Sequence, residues 1–143
     1  MMMVTTWDVV DHRWDDGEGL TPLDTAFAGH LVDSYAAVTA GLLDWGAGSV
    51  AWIAPPIPNV WWGSQGTGQE DPARHAVVRG VIDDLAAGHP GEVSVIDLRG
   101  WLDAAGVADD HDVRPDGVHL EPGAAQRIAE DFLGESLIRV ALQ

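Results

Sequence analysis

The sequence predicts an α/β fold of one domain over residues 1–143, in which helices cover both faces of a short parallel sheet. Three apolar segments are short and continuous, as in strands buried on both faces, and two longer segments with helical spacing separate them. Strands that alternate with helices in this way form parallel sheets. We therefore expect the three-layer α/β/α arrangement of flavodoxin-like proteins, and 143 residues with 46% hydrophobic side chains can bury its core.

The elements of the first half follow from apolar spacing and from residues that interrupt regular structure. Residues 1–10, MMMVTTWDVV, are apolar and β-prone, which predicts a buried strand. Residues 21–45 carry apolar side chains at helical spacing, and Pro22 suits a first turn, so they predict a helix. Residues 49–54 form a continuous apolar run that stops at Pro55, and they predict the second strand.

The second half continues the alternation. A long loop over residues 55–71 precedes a predicted helix over 72–87 and a third strand over 93–98. A final helix is predicted over 121–142, and four of its apolar residues are expected to face the core: Ile128, Phe132, Leu137 and Val140. Right-handed crossovers place the carboxyl ends of all three strands at one edge of the sheet, where ligands of such sheets bind.

The charge of the chain argues against nucleic acid and membranes as partners. The net charge is −16 at pH 7, and the seven basic residues are scattered arginines that form no basic patch. The longest apolar stretches are shorter than the roughly 20 residues of a membrane-spanning helix, and the first residues lack a signal-peptide pattern. We expect a soluble chain without cysteine chemistry, whose compartment the sequence leaves open.

A turn before the last helix brings a carboxylate and an imidazole together. In RPDGVHL, residues 114–120, Asp116 and His119 are three residues apart with Gly117 between them, so a turn folds the carboxylate back onto the ring. A carboxylate bonded to one ring nitrogen stabilises the imidazolium and leaves the other nitrogen as a general base. The alternative is a polar turn that only caps the following helix.

The acidic loop around this turn also offers ligands for a divalent metal. Residues 110–119 hold three aspartates and two histidines, but their spacing matches neither an EF-hand nor a zinc motif. We expect a solvated loop, no metal and no cofactor. The other histidines show no paired spacing and are predicted to lie at the surface: His12, His30, His75 and His89.

Four segments of the chain resemble blocks of one known enzyme family. RPDGVHLEPGAAQRIAEDF, residues 114–132, looks like the last block of the SGNH hydrolases, or GDSL-type esterases, in which a catalytic Asp and His precede the C-terminal helix. TTWDVVD, VAWIAPPIP and VSVIDLRGWL resemble segments of the SGNH domains attached to bacterial membrane acyltransferases. The resemblance implies an ester hydrolase or O-acyltransferase, acting on acyl esters such as O-acetylated sugars, with Asp116 and His119 as the acid and base pair.

The same resemblance implies that part of the site is missing. SGNH enzymes carry the nucleophilic Ser in a Gly-Asp-Ser turn and an oxyanion Gly in the next block, and both precede the strand with which this chain begins. In the third block, Thr5 stands at the Gly position and Trp7 at the Asn position. We therefore interpret the chain as an N-terminally truncated SGNH domain. Ser64, in WGSQG, is a poor substitute because it lies in the middle of a loop rather than at a strand-to-helix elbow.

Four residues near the acid and base pair are candidates for substrate binding. Trp7, Trp61 and Trp62 would offer aromatic faces to an acyl or sugar group, and Arg114 would contact substrate or hold the loop. For Trp61 and Trp62, the alternative is that at least one packs over the sheet as core. Function stays open between an esterase or acyltransferase whose Ser comes from elsewhere and an inactive SGNH-like binding module.

Truncation of the domain predicts a partner for the first strand. Residues 1–10 would form an exposed apolar sheet edge, which is a template for pairing. We expect a second copy of the chain, or a polypeptide that carries the Gly-Asp-Ser strand, to cover this edge.

Overall fold

The computed structural model describes residues 1–4, 6–14, 17–61 and 68–142. Its elements, in chain order, are β1 (Met2–Met3), a 3-10 turn (Thr6–Val9), β2 (His12–Arg13), β3 (Gly19–Leu20), α1 (Thr25–Asp44), β4 (Val50–Ala54), α2 (Pro72–Gly88), β5 (Val93–Asp97), α3 (Leu98–Ala104), α4 (Pro122–Ile128), a π-helical turn (Ala129–Leu133) and α5 (Gly134–Ala141). None of the helices within these ranges is long and apolar enough to cross a membrane.

The predicted α/β character with a parallel sheet is confirmed. The strands lie in the order β1-β4-β5, and both pairs are parallel, with Met2 opposite Trp52 and Ile53 opposite Ile96. The short strands β2 and β3 form a separate antiparallel pair that the sequence analysis did not predict. Because the main strands run the same way, Val4, Ala54 and Asp97 meet at the carboxyl edge of the sheet.

The core lies on both sides of β4, because successive side chains of a strand point to opposite faces. One cluster joins Val50, Trp52 and Ala54 to apolar side chains of α1 and α2. The other joins Ala51 and Ile53 to side chains of β5, α3, α4 and α5. Every residue of β4 is therefore buried, as its uninterrupted apolar sequence predicts.

Two helices begin where an Asp side chain caps exposed backbone N–H groups. Asp71 accepts a hydrogen bond from the Ala73 N–H at 2.9 Å, and Pro72 fits the first turn because its missing N–H would have no helical partner. Asp97 accepts from the Gly100 N–H at 3.0 Å and so starts α3 directly after β5. The helix α3 was not predicted.

Three predicted boundaries are wrong. The strand over residues 1–10 is limited to β1, because the chain turns at Thr6–Val9 and places Val9, 0% exposed, in the core. The helix predicted over 21–45 begins only at Thr25. The last helix is interrupted by the π-helical turn, so α4 and α5 replace one element.

The side chains of the last helix nevertheless face inward as predicted. Ile128 and Val140 are buried, and Phe132 and Leu137 pack against the same cluster. Apolar periodicity therefore survives the interruption of the helix.

Candidate active site

The candidate site is built on the loop between α3 and α4, which folds as a series of tight turns. The Arg114 N–H donates to the Asp110 carbonyl at 2.8 Å, and the Gly117 N–H donates to the Arg114 carbonyl at 2.8 Å. The Glu121 N–H then returns to the Val113 carbonyl at 2.8 Å, just before its own side chain caps α4. These bonds close the loop and hold its central turn at the protein surface.

Asp116 and His119 form the pair that the sequence analysis predicts. His119 Nδ1 lies 2.6 Å from Asp116 Oδ2, while Asp116 Oδ1 accepts from the backbone N–H groups of Val118 at 2.8 Å and His119 at 2.6 Å. Bonding to the His119 ring, together with these two amides, holds the pKa of the Asp116 carboxyl well below its usual range. The carboxylate therefore stays ionised and fixes the orientation of the imidazole.

The second nitrogen of the His119 ring points away from this carboxylate. The side chain of His119 is 83% exposed. Among the residues that the structure describes, Asp116 is the only hydrogen-bond partner of the ring. Since Nδ1 donates to an acceptor-only carboxylate, Nε2 of the neutral ring carries a lone pair and is able to accept a proton.

Arg114 lies beneath this turn and is 1% exposed. Its guanidinium donates to three carbonyls, those of Ile57 at 3.0 Å, Ala108 at 2.7 Å and Gly117 at 2.5 Å. Burial lowers the pKa of Arg114 from its usual high value, and the nearby carboxylates oppose that shift. The bonded donors of Arg114 all contact backbone inside the protein, so Arg114 holds the loop, one of the two roles considered for it. That Arg114 also contacts substrate stays a prediction.

The loop is also attached to the segment after β4. The Asn59 N–H donates to the Gly117 carbonyl at 2.9 Å, and the Asn59 amide donates to Asp109 Oδ1 at 3.1 Å. Val60, the next residue, donates its N–H to Glu70 Oε1 at 3.0 Å. The carboxyl edge of β4 and the loop with His119 therefore form one surface. The hydrogen bond from Arg114 to the Ile57 carbonyl joins the same two segments, although the two residues lie 57 positions apart in the chain.

Two of the three tryptophans predicted to bind substrate lie within the described residues, and both are exposed. Trp61 directly follows Val60 and is 73% exposed, so it does not fold into the core. Trp7 is 66% exposed, and its carbonyl lies 2.7 Å from His12 Nε2, which ties the 3-10 turn to β2. Trp62, Ser64 and Thr5 lie outside the described residues.

Two of the serines that the structure describes make hydrogen-bond contacts away from the pair. Ser34 Oγ donates to the His30 carbonyl at 2.8 Å, and Ser49 Oγ lies 3.4 Å from the Val140 carbonyl. No group of three or more His, Asp or Glu side chains able to hold a metal is found in the described ranges.

A cluster of polar residues at the carboxyl edge of the sheet was not predicted from the sequence. His75, predicted at the surface, is 7% exposed, because its position on α2 faces β4 and β5. Together with Arg79, Asp97 and Arg99 it lines a cavity of about 260 Å³. Only the helical spacing of Arg79 and His75 on one side of α2 could have indicated this cluster.

Compared with protein families, with curated proteins and with solved structures, the chain matches none.

Proposed function

We propose that this chain supplies the acid and base half of an SGNH-type serine ester hydrolase or O-acyltransferase acting on acyl esters, O-acetylated sugars among them. The observation that carries the proposal is the 2.6 Å bond between His119 Nδ1 and Asp116 Oδ2, with the rest of the imidazole open to solvent. A buried structural pair would not leave the ring exposed. A simple helix cap would not need the ring, because Glu121 already caps α4.

In the proposed reaction His119 Nε2 moves a proton in both directions. It takes the proton of a serine hydroxyl as that oxygen bonds to the ester carbonyl carbon, and the imidazolium is stabilised by Asp116. It returns the proton to the alcohol oxygen as the carbonyl carbon–oxygen bond breaks. Water, or an acceptor hydroxyl in a transferase, then releases the acyl group by the same two proton movements.

The proposal requires a nucleophile from outside the described residues. Within them, β1 lies at one end of the sheet order and pairs with β4 alone. A strand that carries the Gly-Asp-Ser turn, from an upstream segment or from a second polypeptide, would extend the sheet beside β1 and end at the same edge as β4. We infer that the assembled domain has the three-layer flavodoxin-like fold, which the core clusters on opposite sides of β4 support.

The test is hydrolysis of p-nitrophenyl acetate by the wild-type chain and by H119A. General acid and base catalysis contributes about 10²–10⁴-fold, so H119A should lose most of any activity above the buffer rate. H89A is the matched control, because His89 is a half-exposed histidine at the end of α2. Equal rates for wild type and H119A would rule out hydrolysis by this chain alone. Adding a Gly-Asp-Ser-containing segment should then restore a rate that depends on His119, and its failure to do so would contradict the proposal.

A second candidate function is an inactive SGNH-like binding module that self-associates through β1, and the exposed side chains of Trp7 and Trp61 favour it. Such a module would form multimers in light scattering and would show no covalent labelling by a fluorophosphonate. Labelling at Ser64 would exclude it and would identify a nucleophile within the chain.

A further inference from the structure

The cavity of about 260 Å³ lies at the carboxyl edge of the sheet, between α2 and α3. Val4 follows β1, and Ala54 and Asp97 end β4 and β5, so all three parallel strands contribute to its wall. The ends of parallel strands are where sheets of this type bind small molecules. This cavity is separate from the Asp116 and His119 pair, since neither residue lines it.

The inner part of the cavity is aliphatic. Val4, Ala54, Val78 and Ile82 line it, and each of these residues is at most 5% exposed. A cavity of ~150 Å³ accommodates benzene, so about 260 Å³ corresponds to a ligand of roughly ten non-hydrogen atoms. The wall therefore suits a short hydrocarbon chain.

Two of the charged residues at the cavity already satisfy each other. Arg79 Nη1 lies 2.9 Å from Asp97 Oδ1, and Arg79 Nε lies 2.8 Å from Asp83. Asp97 also accepts the Gly100 N–H. Arg79 and Asp97 are consequently fixed parts of the wall, and two carboxylates already offset the charge of Arg79.

His75 contributes no charge either. Its Nε2 lies 2.7 Å from the Gln69 carbonyl, which only accepts hydrogen bonds, so Nε2 carries the proton. Burial is the main cause that lowers the pKa of His75, and the Arg99 charge acts in the same direction. The ring is therefore neutral at pH 7.

Arg99 is the charge with the weakest partner. Its Nε lies 3.7 Å from Asp103 Oδ2, beyond hydrogen-bond distance, and both side chains are partly exposed. Exposed ion pairs of this kind contribute little to stability, so a ligand carboxylate can replace Asp103 at small cost. Distant charges of the acidic chain are screened over about 8 Å at physiological salt, and at the cavity itself Arg99 offers a cation that a ligand carboxylate reaches by displacing Asp103.

We propose that this cavity binds a small aliphatic carboxylate, with its hydrocarbon chain against Val78 and Ile82 and its carboxylate paired with the Arg99 guanidinium. A planar guanidinium binds a carboxylate through two parallel hydrogen bonds, which a surface aspartate at 3.7 Å does not achieve here. The site requires neither a nucleophilic serine nor His119, so it is independent of the proposed esterase activity.

Titration with sodium hexanoate tests the site, with amide ¹H–¹⁵N shifts and calorimetry as readouts. We expect saturable shifts at Val78, Ile82 and Gly100, and R99Q should weaken binding about tenfold because a charge-assisted pair is lost. R139Q is the matched control, since Arg139 is exposed and paired with Glu135 on its own helix. It should bind hexanoate like the wild type.

Hexan-1-ol and hexylamine separate the two parts of the proposal. The alcohol should bind more weakly than hexanoate and equally well to wild type and R99Q, and the amine should bind weakest. The proposal is overturned by equal effects of R99Q and R139Q, by hexan-1-ol binding as tightly as hexanoate, or by an absence of shifts at the cavity up to saturating ligand. Urea unfolding of both variants checks that each is folded.

Discussion

Gly117 and Asn59 lie in direct backbone contact: the Asn59 N–H donates to the Gly117 carbonyl at 2.9 Å, and a side chain on Gly117 would overlap the Asn59 carbonyl. Gly117 also has a φ of +72°, a conformation that L side chains rarely adopt. The turn that joins Asp116 to His119 thus depends on a residue without a side chain at this position.

G117A should therefore destabilise the protein far more than G106A. Gly106 has nearly the same φ, +70°, but within the described part of the chain no atom beyond its two chain neighbours lies within 4 Å of a Cβ added there. G106A should cost about 1–2 kcal/mol for the backbone conformation alone. G117A should cost about 1–3 kcal/mol more, because residues 59 and 60 must move. Urea unfolding measures both, and equal costs would show that the contact with Asn59 does not constrain the loop.

R114M should reduce the free energy of unfolding by about 3 kcal/mol, because the carbonyls of Ile57 and Ala108 lose a charged donor inside the protein. The same substitution at the exposed Arg139 should change stability by less than about 1 kcal/mol. R114K should not restore stability, since one ammonium cannot reproduce the contacts of a planar guanidinium with three carbonyls. Full stability of R114K would contradict the role assigned to Arg114.

Asp116 should make stability depend on pH in the acid range. Its pKa in the folded protein is lowered, so the folded state binds fewer protons than the unfolded chain, whose Asp pKa is about 3.9. The stabilisation from Asp116 is then fully present above about pH 4 and is lost as the pH falls further. The difference in unfolding free energy between wild type and D116N should shrink below pH 4, and a difference that stays constant from pH 7 to 3 would contradict the assignment.

Thr39 and Trp52 provide a test of the core on the α1 side of the sheet. The Trp52 indole N–H donates to Thr39 Oγ1 at 3.1 Å, and both residues are at most 2% exposed. T39V should cost about 1–3 kcal/mol, because it leaves the indole N–H buried without an acceptor. T39S, which keeps the hydroxyl, should cost less. In a W52F background the T39V cost should largely disappear, and an unchanged cost would show that the hydrogen bond is not its source.

Elements with a strong local signal were predictable to within a residue. The strand β4 is a five-residue apolar run that ends at a proline, and α2 begins with the Asp71 and Pro72 start signal. The length of β1 was not predictable, because a strand extends only as far as a neighbouring strand pairs with it. Here the chain turns away from β4 to bury Val9 in the core, and β1 ends at Met3. The helix α3 was not predictable from Asp97 alone, because an Asp at the end of a strand caps a loop as well as a helix and the apolar run of β5 continues into Leu98.

By itself the sequence determined the alternation of strands and helices and the Asp116–His119 pair, because both depend on residues close together in the chain. Only the tertiary structure decided that Arg114 is buried beneath the turn, that Asn59 lies against Gly117, and that His75 faces a cavity with Arg99. These contacts join segments tens of residues apart. Their partners are selected by the packing of helices on the sheet, which no local pattern of residues encodes.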